Sequence, residues 1–407
     1  MPRLLVDVGP LRRHRDLRLL LGGQMVSLMG SNVTMVAIPY QVYRITHSSL
    51  WVGVASVAQL PFLIAGSLWG GAMGDRVDRR RLFVASSLVL AVLSGALALD
   101  GGTSRAHLAP LLVLAALSAG AGGFAGPVRT ATIPTLVPGE ELVAAYSINQ
   151  VIVNTATILG PALAGVVLAS VSLAACYALD AASFLVLAAA TGLMRPIPPG
   201  GGAAGRRLLG AITDGFRYVR GHATAQAVYL IDLNAMVFGL PRALFPAVAL
   251  DLYHGGPRTL GLLYAAPGVG ALVMALLTGW IAHVRRQGRL VVIVVMAWGA
   301  AMALFGLTRV VAVGLACLAV AGATDVISTV LRNTILQNAI TDEFRSRISA
   351  IQLAVVTGGP RLGDLESGAV ASLAGTEFSI VSGGIACVLG ALALVRWRPA
   401  FWRDAAG

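Results

Sequence analysis

Apolar residues in this chain come in runs of twenty or more, separated by short polar breaks that often carry arginine. An α-helix needs about 20 mostly apolar residues to cross a bilayer. Read with that window, the sequence predicts about twelve spanning helices. They cover roughly 17–43, 50–72, 82–100, 108–136, 143–170 and 172–194, then 223–250, 258–283, 289–308, 311–338, 346–373 and 378–397. An even number places both termini on the same side. The one long interruption, 195–222, opens with Pro196, Pro198, Pro199 and a glycine run from Gly200, a flexible linker composition. It continues with Leu208, Leu209, Ile212, Phe216 and Val219 on one helical face and Arg206, Arg217 and Arg220 off it. That helix either lies at the membrane interface or is a solvated linker. The predicted organisation is a six-helix bundle over 1–194, a linker with an amphipathic helix over 195–222, and a second six-helix bundle over 223–407.

The two halves repeat each other. Pro39 matches Pro246 and His47 matches His254; Gly53 matches Gly261 and Gly71 matches Gly279. Further on, Arg129 matches Arg332, Glu140 matches Glu343, Gly160 matches Gly363 and Gly165 matches Gly368. An ordered series at a nearly constant offset marks parallel repeats.

Composition agrees with a chain that is almost entirely membrane. The sequence of 407 residues is 57% hydrophobic and 12% charged, against about 25% charged residues in ordinary soluble domains. Its mean hydropathy is +0.80. The net charge of +12 comes wholly from arginine. Those arginines cluster in alternate breaks: at Arg12 to Arg18, Arg76 to Arg81, Arg195 to Arg220, Arg285 to Arg289, Arg345 and Arg347, and Arg396 to Arg403. The breaks between hold at most one each, which is the positive-inside pattern and puts both termini in the cytoplasm. The basic charge therefore faces lipid, and nucleic acid is not an expected partner. Cys176, Cys317 and Cys387 lie in apolar runs and read as core residues, so neither a disulfide nor a metal framework is expected. No zinc spacing, nucleophile elbow, catalytic triad or phosphate loop is visible, so neither an enzyme nor an ATP-driven pump is expected, and no cofactor.

One break is more specific than the rest. Gly71, Gly74, Asp75, Arg76, Asp78, Arg79, Arg80 and Arg81 make a short charged loop that can only join two antiparallel helices at one membrane face. Asp75 is placed to cap a neighbouring helix N-terminus, and the arginines to meet anionic headgroups. The pattern resembles the loop between the second and third helices of major facilitator transporters. Gly71, Asp75, Arg76, Arg79 and Arg80 match it, while Asp78 stands where that family usually has glycine. The counterpart loop in the second half, Gly279 to Arg289, has His283 in place of Asp75. Any acid-dependent latch is thus expected in the first half alone. In the fifth span, Gly160, Pro161 and Gly165 resemble the end of the glycine-proline motif of major facilitator antiporters. Asn154, Thr155 and Thr157 occupy the region where its upstream glycines would stand. A packing kink is the alternative reading.

Ionisable residues inside spans are functional candidates, because each costs roughly 2.5–3.5 kcal/mol to insert. Arg361, Asp364 and Glu366 share the eleventh span. Arg361 and Asp364, three apart, share a helix face and can pair, so that one acid neutralises the arginine while the other stays free to titrate; Asp364 and Glu366 are the expected proton carriers, and the alternative is a self-neutralised structural pair. Asp232 in the seventh span and Asp325 in the tenth are reserves, with a structural hydrogen bond as the competing reading. Asp180 in the sixth reads as structural. Arg129 and Arg332, near Glu140 and Glu343, read as interface anchors and salt-bridge partners.

Taken together, the chain is similar to the enterobactin-exporter branch of the major facilitator superfamily. Leu244 to Ala247, Gly261 to Ala266, Gly279 to His283, and Thr357 to Gly359 with Gly363 and Asp364 carry that likeness. The resemblance implies a proton-coupled antiporter of the bacterial cytoplasmic membrane, working as a monomer by alternating access. Its cargo would be a siderophore or an amphipathic drug-like molecule, with Asp75 holding one access state. A macrolide or multidrug exporter, an importer of the same fold, and a polytopic membrane enzyme or sensor are the alternatives.

Overall fold

The computed structural model describes residues 7–103, 107–199, 217, 219–339 and 345–403. The glycine run from Gly200, most of the expected amphipathic helix and Glu343 lie outside the described residues. Among the described residues every regular element is helical. A short α1 (Gly9–Arg13) precedes six long helices: α2 (Arg15–Thr46), α3 (Ser49–Gly74), α4 (Arg79–Gly101), α5 (Leu108–Leu136), α6 (Leu142–Ser170) and α7 (Leu173–Gly192). The second series is α8 (Ala223–Phe238), α9 (Gly256–Leu277), α10 (Gln287–Leu307), α11 (Val311–Ala339), α12 (Arg345–Ala374) and α13 (Thr376–Trp397), closed by α14 (Pro399–Arg403). Eleven stretches among the described residues are long and apolar enough to cross a membrane. The twelfth expected span, α12, is 30 residues long but carries Arg361, Asp364 and Glu366 near its middle, and so falls short of the others in apolar character.

Two compact units emerge from the contacts. One comprises Met1–Ile45 and Ala58–Arg207; the other comprises Thr46–Val57 and Leu208–Gly407. The first turns of α3 thus pack with the second unit. Inside the first unit α4 packs along α7 and α5, and α6 along α7. Inside the second, α10 packs along α13 and α11, and α12 along α13. The same pairings recur, as a sequence repeat requires. The repeat extends to backbone detail: His47 and His254, matched in the sequence, both adopt a left-handed conformation (φ 49° and 47°). Close helix approaches recur too. A Cβ at Gly66 would collide with the carbonyl of Gly120, and one at Gly270 with the carbonyl of Ala319. Only glycine lets α3 meet α5, and α9 meet α11, at that distance.

Two predicted spans differ from the sequence reading. The span expected over 223–250 is broken. Helix α8 ends at Gly239, and short helical turns resume at Arg242 and run to Leu252. Gly239 and Pro241 together favour the break: Gly239 weakens the helix, and Pro241 has no N–H to give and clashes with the preceding turn. In an apolar surround the freed backbone groups need partners. Trp298 Nε1 donates to the Gly239 carbonyl at 2.6 Å, and the Asp364 carboxylate accepts from the Ala243 N–H at 3.1 Å. The eighth span also tightens at its end, becoming a 3₁₀ helix over Thr278–His283.

Candidate functional site

Polar groups gather at three places within the units. The first is the charged loop between α3 and α4. Asp78 caps α4, its Oδ1 accepting from the Arg81 N–H at 3.2 Å. Asp75 stands half-buried in the turn before it. Arg79 is only 7% exposed; its guanidinium donates to the Gly74 carbonyl at 3.4 Å and the Ala131 carbonyl at 2.6 Å. Arg80 donates to the Gly192 carbonyl at the end of α7. The expectation that these arginines meet headgroups is therefore corrected for Arg79 and Arg80. They hold the C-terminal ends of α3, α5 and α7, where helix carbonyls lack intrahelical donors and the dipole favours a cation. Arg76 and Arg81 are exposed.

The second lies in the second unit and is built on Arg332. This side chain, only 3% exposed, donates to the Asp232 carboxylate on α8, itself 2% exposed. Its other terminal nitrogen donates to Thr329 Oγ1 at 3.0 Å and lies 4.0 Å from the Asp325 carboxylate. Asp325, Thr329 and Arg332 sit four and three residues apart on α11, so one face of one helix presents all three. The Asp325 side chain is 45% exposed and forms the open edge of the cluster. Arg332 is thus a buried ion-pair partner of Asp232 and not an interface anchor. Glu140 is exposed; the acid paired in that turn is its neighbour Glu141, with Arg13 at 2.7 Å and His14 at 2.9 Å.

Asp364 lies elsewhere in the same unit. Its Oδ2 accepts from Ser56 Oγ at 2.6 Å and its Oδ1 from Ala243 N. Arg361 turns back on its own helix, donating to the Thr357 carbonyl at 2.9 Å. The expected Arg361–Asp364 pair is not formed, because Asp364 is committed to the helix break and to the first turns of α3. Glu366, partly buried, has no hydrogen bond or ion pair among the described residues. Gly363 and Gly368 give these neighbours room: a Cβ there would overlap Val237 and Ser49 backbone. In the first unit Gly160, Pro161 and Gly165 are buried on α6, and a Cβ at Gly160 would run into Asn32 and the Met29 carbonyl of α2. The packing part of the motif reading is what this geometry carries.

The third place was not predicted as a site. A cavity of about 360 Å³ in the first unit is lined from α2, α3, α4, α5 and α7. Its wall is largely apolar, with Leu20, Met35, Phe83 and Phe184, but it holds Asp180, Arg129, Gln24, Gln59 and several hydroxyls. Asp180 is 2% exposed. Its Oδ2 accepts from Thr34 Oγ1 at 2.8 Å and Ser94 Oγ at 2.9 Å, which accounts for the structural reading. The signal was available in the spacing of Ser27, Ser31 and Thr34, which line one face of α2.

Two six-helix series with repeated pairings and buried charge clusters define a membrane transporter of the major facilitator type. Solved structures agree at the level of fold. The nucleoside transporter NupG superposes with a TM-score of 0.75 at 13% identity, covering 95% of this chain and 98% of that one. A bacterial homolog of the human lysosomal transporter Spinster, inward-facing and unoccupied, gives 0.75 at 15% identity, covering 96% and 98%. The chain belongs to the Transmembrane secretion effector family, which it matches over residues 7–405. Among curated relatives it is 27% identical to the enterobactin exporter EntS of Citrobacter koseri over 360 residues, covering 88% of this chain and 86% of that one. It is 26% identical to EntS of Escherichia coli O139:H28 over 402 residues, covering 97% and 96%.

Proposed function

We propose that this transporter exports a small amphipathic molecule of the siderophore class from the bacterial cytoplasm, by proton antiport and alternating access. Both termini face the cytoplasm and the working unit is the monomer. The observation that carries the coupling is the Asp232–Arg332–Asp325 cluster. Two carboxylates and one guanidinium sum to one negative charge, and a net charge held within a membrane span is costly. One proton brings the group to zero without removing any residue from it. Asp325, at the open edge, receives the proton; Asp232 and Arg332 hold the buried end.

This reverses the order expected from sequence, in which Asp364 and Glu366 came first. Asp364 serves the helix break, where it supports an element that must move between access states, and Glu366 has no partner among the described residues. Arg361 keeps to its own helix as a fixed charge beside them. Asp75, Arg76, Arg79 and Arg80 form the gating loop, with Gly160, Pro161 and Gly165 letting α6 bend and pack closely. The near-full-length likeness to enterobactin exporters supports the cargo class and the direction.

The test is reconstitution. In proteoliposomes, an imposed proton gradient should drive accumulation of a catecholate siderophore against its own gradient, and a proton ionophore should abolish it. Cargo movement indifferent to the gradient would refute the coupling. A deletion strain that secretes siderophore normally but becomes sensitive to macrolides would move the cargo assignment to drugs.

A further inference from the structure

Helices α8 and α13 pack against each other in the second unit and leave a groove of about 310 Å³ between them. Leu230 and Ile231 of α8 and Gly390, Ala393, Leu394 and Trp397 of α13 line it, so its wall is wholly apolar. The α13 positions are three and four apart and form one stripe of that helix. Leu230 is 44% and Trp397 55% exposed, and Ala393 is exposed as well, so the groove opens outward. Both helices belong to stretches long and apolar enough to cross a membrane, and an exposed face this apolar belongs against lipid chains. Gly390 sets the inner end: the Asn234 amide lies so close that a Cβ there would collide with it.

The other end is charged. Arg398 closes it, donating to Gln226 Oε1 at 2.6 Å, with its Cζ 4.3 Å from the centroid of the Trp397 ring. Gln226 lies one turn before Leu230 on the same face of α8. Arg396, exposed, flanks the stripe. The start of α10 comes to the same end: Arg289 stacks on Trp402 at 5.1 Å, and Gly288 packs on the Phe401 carbonyl. Among the described residues the charged side chains at this end are arginines, and neither Arg396 nor Arg398 pairs with an acid. Asp232 lies further along α8 and is taken up by Arg332. A second copy packed on this face by two-fold symmetry would set the arginines against each other. A lipid with a negative head meets them with opposite charge. Basic sites between spanning helices suit anionic headgroups, and tryptophan favours the headgroup level. We propose that the groove between α8 and α13 holds one acyl chain of an anionic phospholipid, whose phosphate meets Arg396 and Arg398. In the reading above this end faces the cytoplasm; nothing in the proposal depends on the cargo or on proton coupling.

The full-length protein, stripped of co-purified lipid in detergent, is titrated with dioleoyl phosphatidylglycerol or dioleoyl phosphatidylcholine, and bound lipid is counted by native mass spectrometry. The first phosphatidylglycerol should bind about tenfold tighter or more than phosphatidylcholine, since each arginine beside an anionic headgroup is worth about fivefold. Arg396→Gln should lower phosphatidylglycerol affinity about fivefold and leave phosphatidylcholine unchanged. Arg12→Gln, the same charge change on the first unit, should alter neither. Ala393→Phe fills the groove and should weaken both lipids severalfold. Glycerol phosphate, which has the head and no chain, should not compete at equal concentration. Arg396 and Ala393 are exposed, so both variants should fold. Equal affinity for the two lipids, wild-type phosphatidylglycerol binding in both Arg396→Gln and Ala393→Phe, or displacement by glycerol phosphate would overturn the proposal. So would a lipid-free dimer, seen by light scattering in the wild type and lost in Ala393→Phe, which would give the groove to a second copy.

Discussion

Asp232 and Asp325 flank the same arginine but sit in different surroundings, and that difference separates stability from coupling. Asp232→Asn removes the buried partner of a buried guanidinium. Breaking such a pair costs about 3–5 kcal/mol in general. Here Arg332 keeps Thr329 at 3.0 Å and Asp325 at 4.0 Å, so the expected loss is at the low end, about 3 kcal/mol. That is on the order of a hundredfold in the folded-to-unfolded ratio. Asp325→Asn touches a side chain that is 45% exposed and at the limit of ion-pair distance. Its expected stability cost is within about 1 kcal/mol, the range of exposed pairs. Coupling should not follow the same order. Either substitution takes the cluster from one negative charge to zero and removes its need for a proton, so both variants should lose gradient-driven efflux. Thermal unfolding of the purified variants in detergent reads the first quantity, and transport in proteoliposomes reads the second. An Asp325→Asn protein that is stable and still fully driven by the proton gradient would refute the reasoning. So would an Asp232→Asn protein with wild-type stability.

Other contacts make separate predictions. Ser56→Ala and Asp364→Asn should be strongly non-additive in a double-mutant cycle, with a coupling of about 1.5–3 kcal/mol for a hydrogen bond to a charged group; additive effects would mean that their 2.6 Å contact carries no energy. Arg79→Ala should destabilise by about 2–4 kcal/mol, having lost bonds to two helix-end carbonyls, while Arg76→Ala should stay within about 0.5 kcal/mol because its side chain is exposed; thermal midpoints compare the two. His254→Val should cost about 1–3 kcal/mol and His254→Gly much less, because a β-branched residue resists a φ of 47°. Asp75→Asn should shift the access equilibrium, read by cysteine accessibility on either membrane face, while the exposed His283 should tolerate asparagine; equal effects would refute a one-sided latch.

The spans were legible because membrane helices announce themselves locally: each run of apolar residues satisfies its own backbone and needs no distant partner. The repeat was legible for the same reason, and His47 and His254 carry it down to the sign of φ. The break carries its own signal, Gly239 and Pro241 just before Arg242, but a hydropathy window averages across it. The partners of the buried charges were beyond reach of local reasoning. Arg332 and Asp232 are 100 residues apart and Ser56 and Asp364 are 308 apart, whereas the spacing argument for Arg361 and Asp364 considered one helix alone. Asp180 was read as structural from the Ala, Ser and Phe around it in the sequence, and its bonds to Thr34 and Ser94 agree with that reading. The partners themselves lie on other helices and become visible only when several helices close around it.

The most direct test of the account is proton flux driven by cargo alone. Proteoliposomes with no initial pH gradient and an interior pH dye are given a gradient of enterobactin, the cargo named for the relatives. Proton coupling predicts that the dye reports protons moving opposite to the siderophore, that the signal vanishes in Asp325→Asn, and that it scales with the amount transported. Siderophore moving at the wild-type rate with no pH change would contradict proton antiport at its centre.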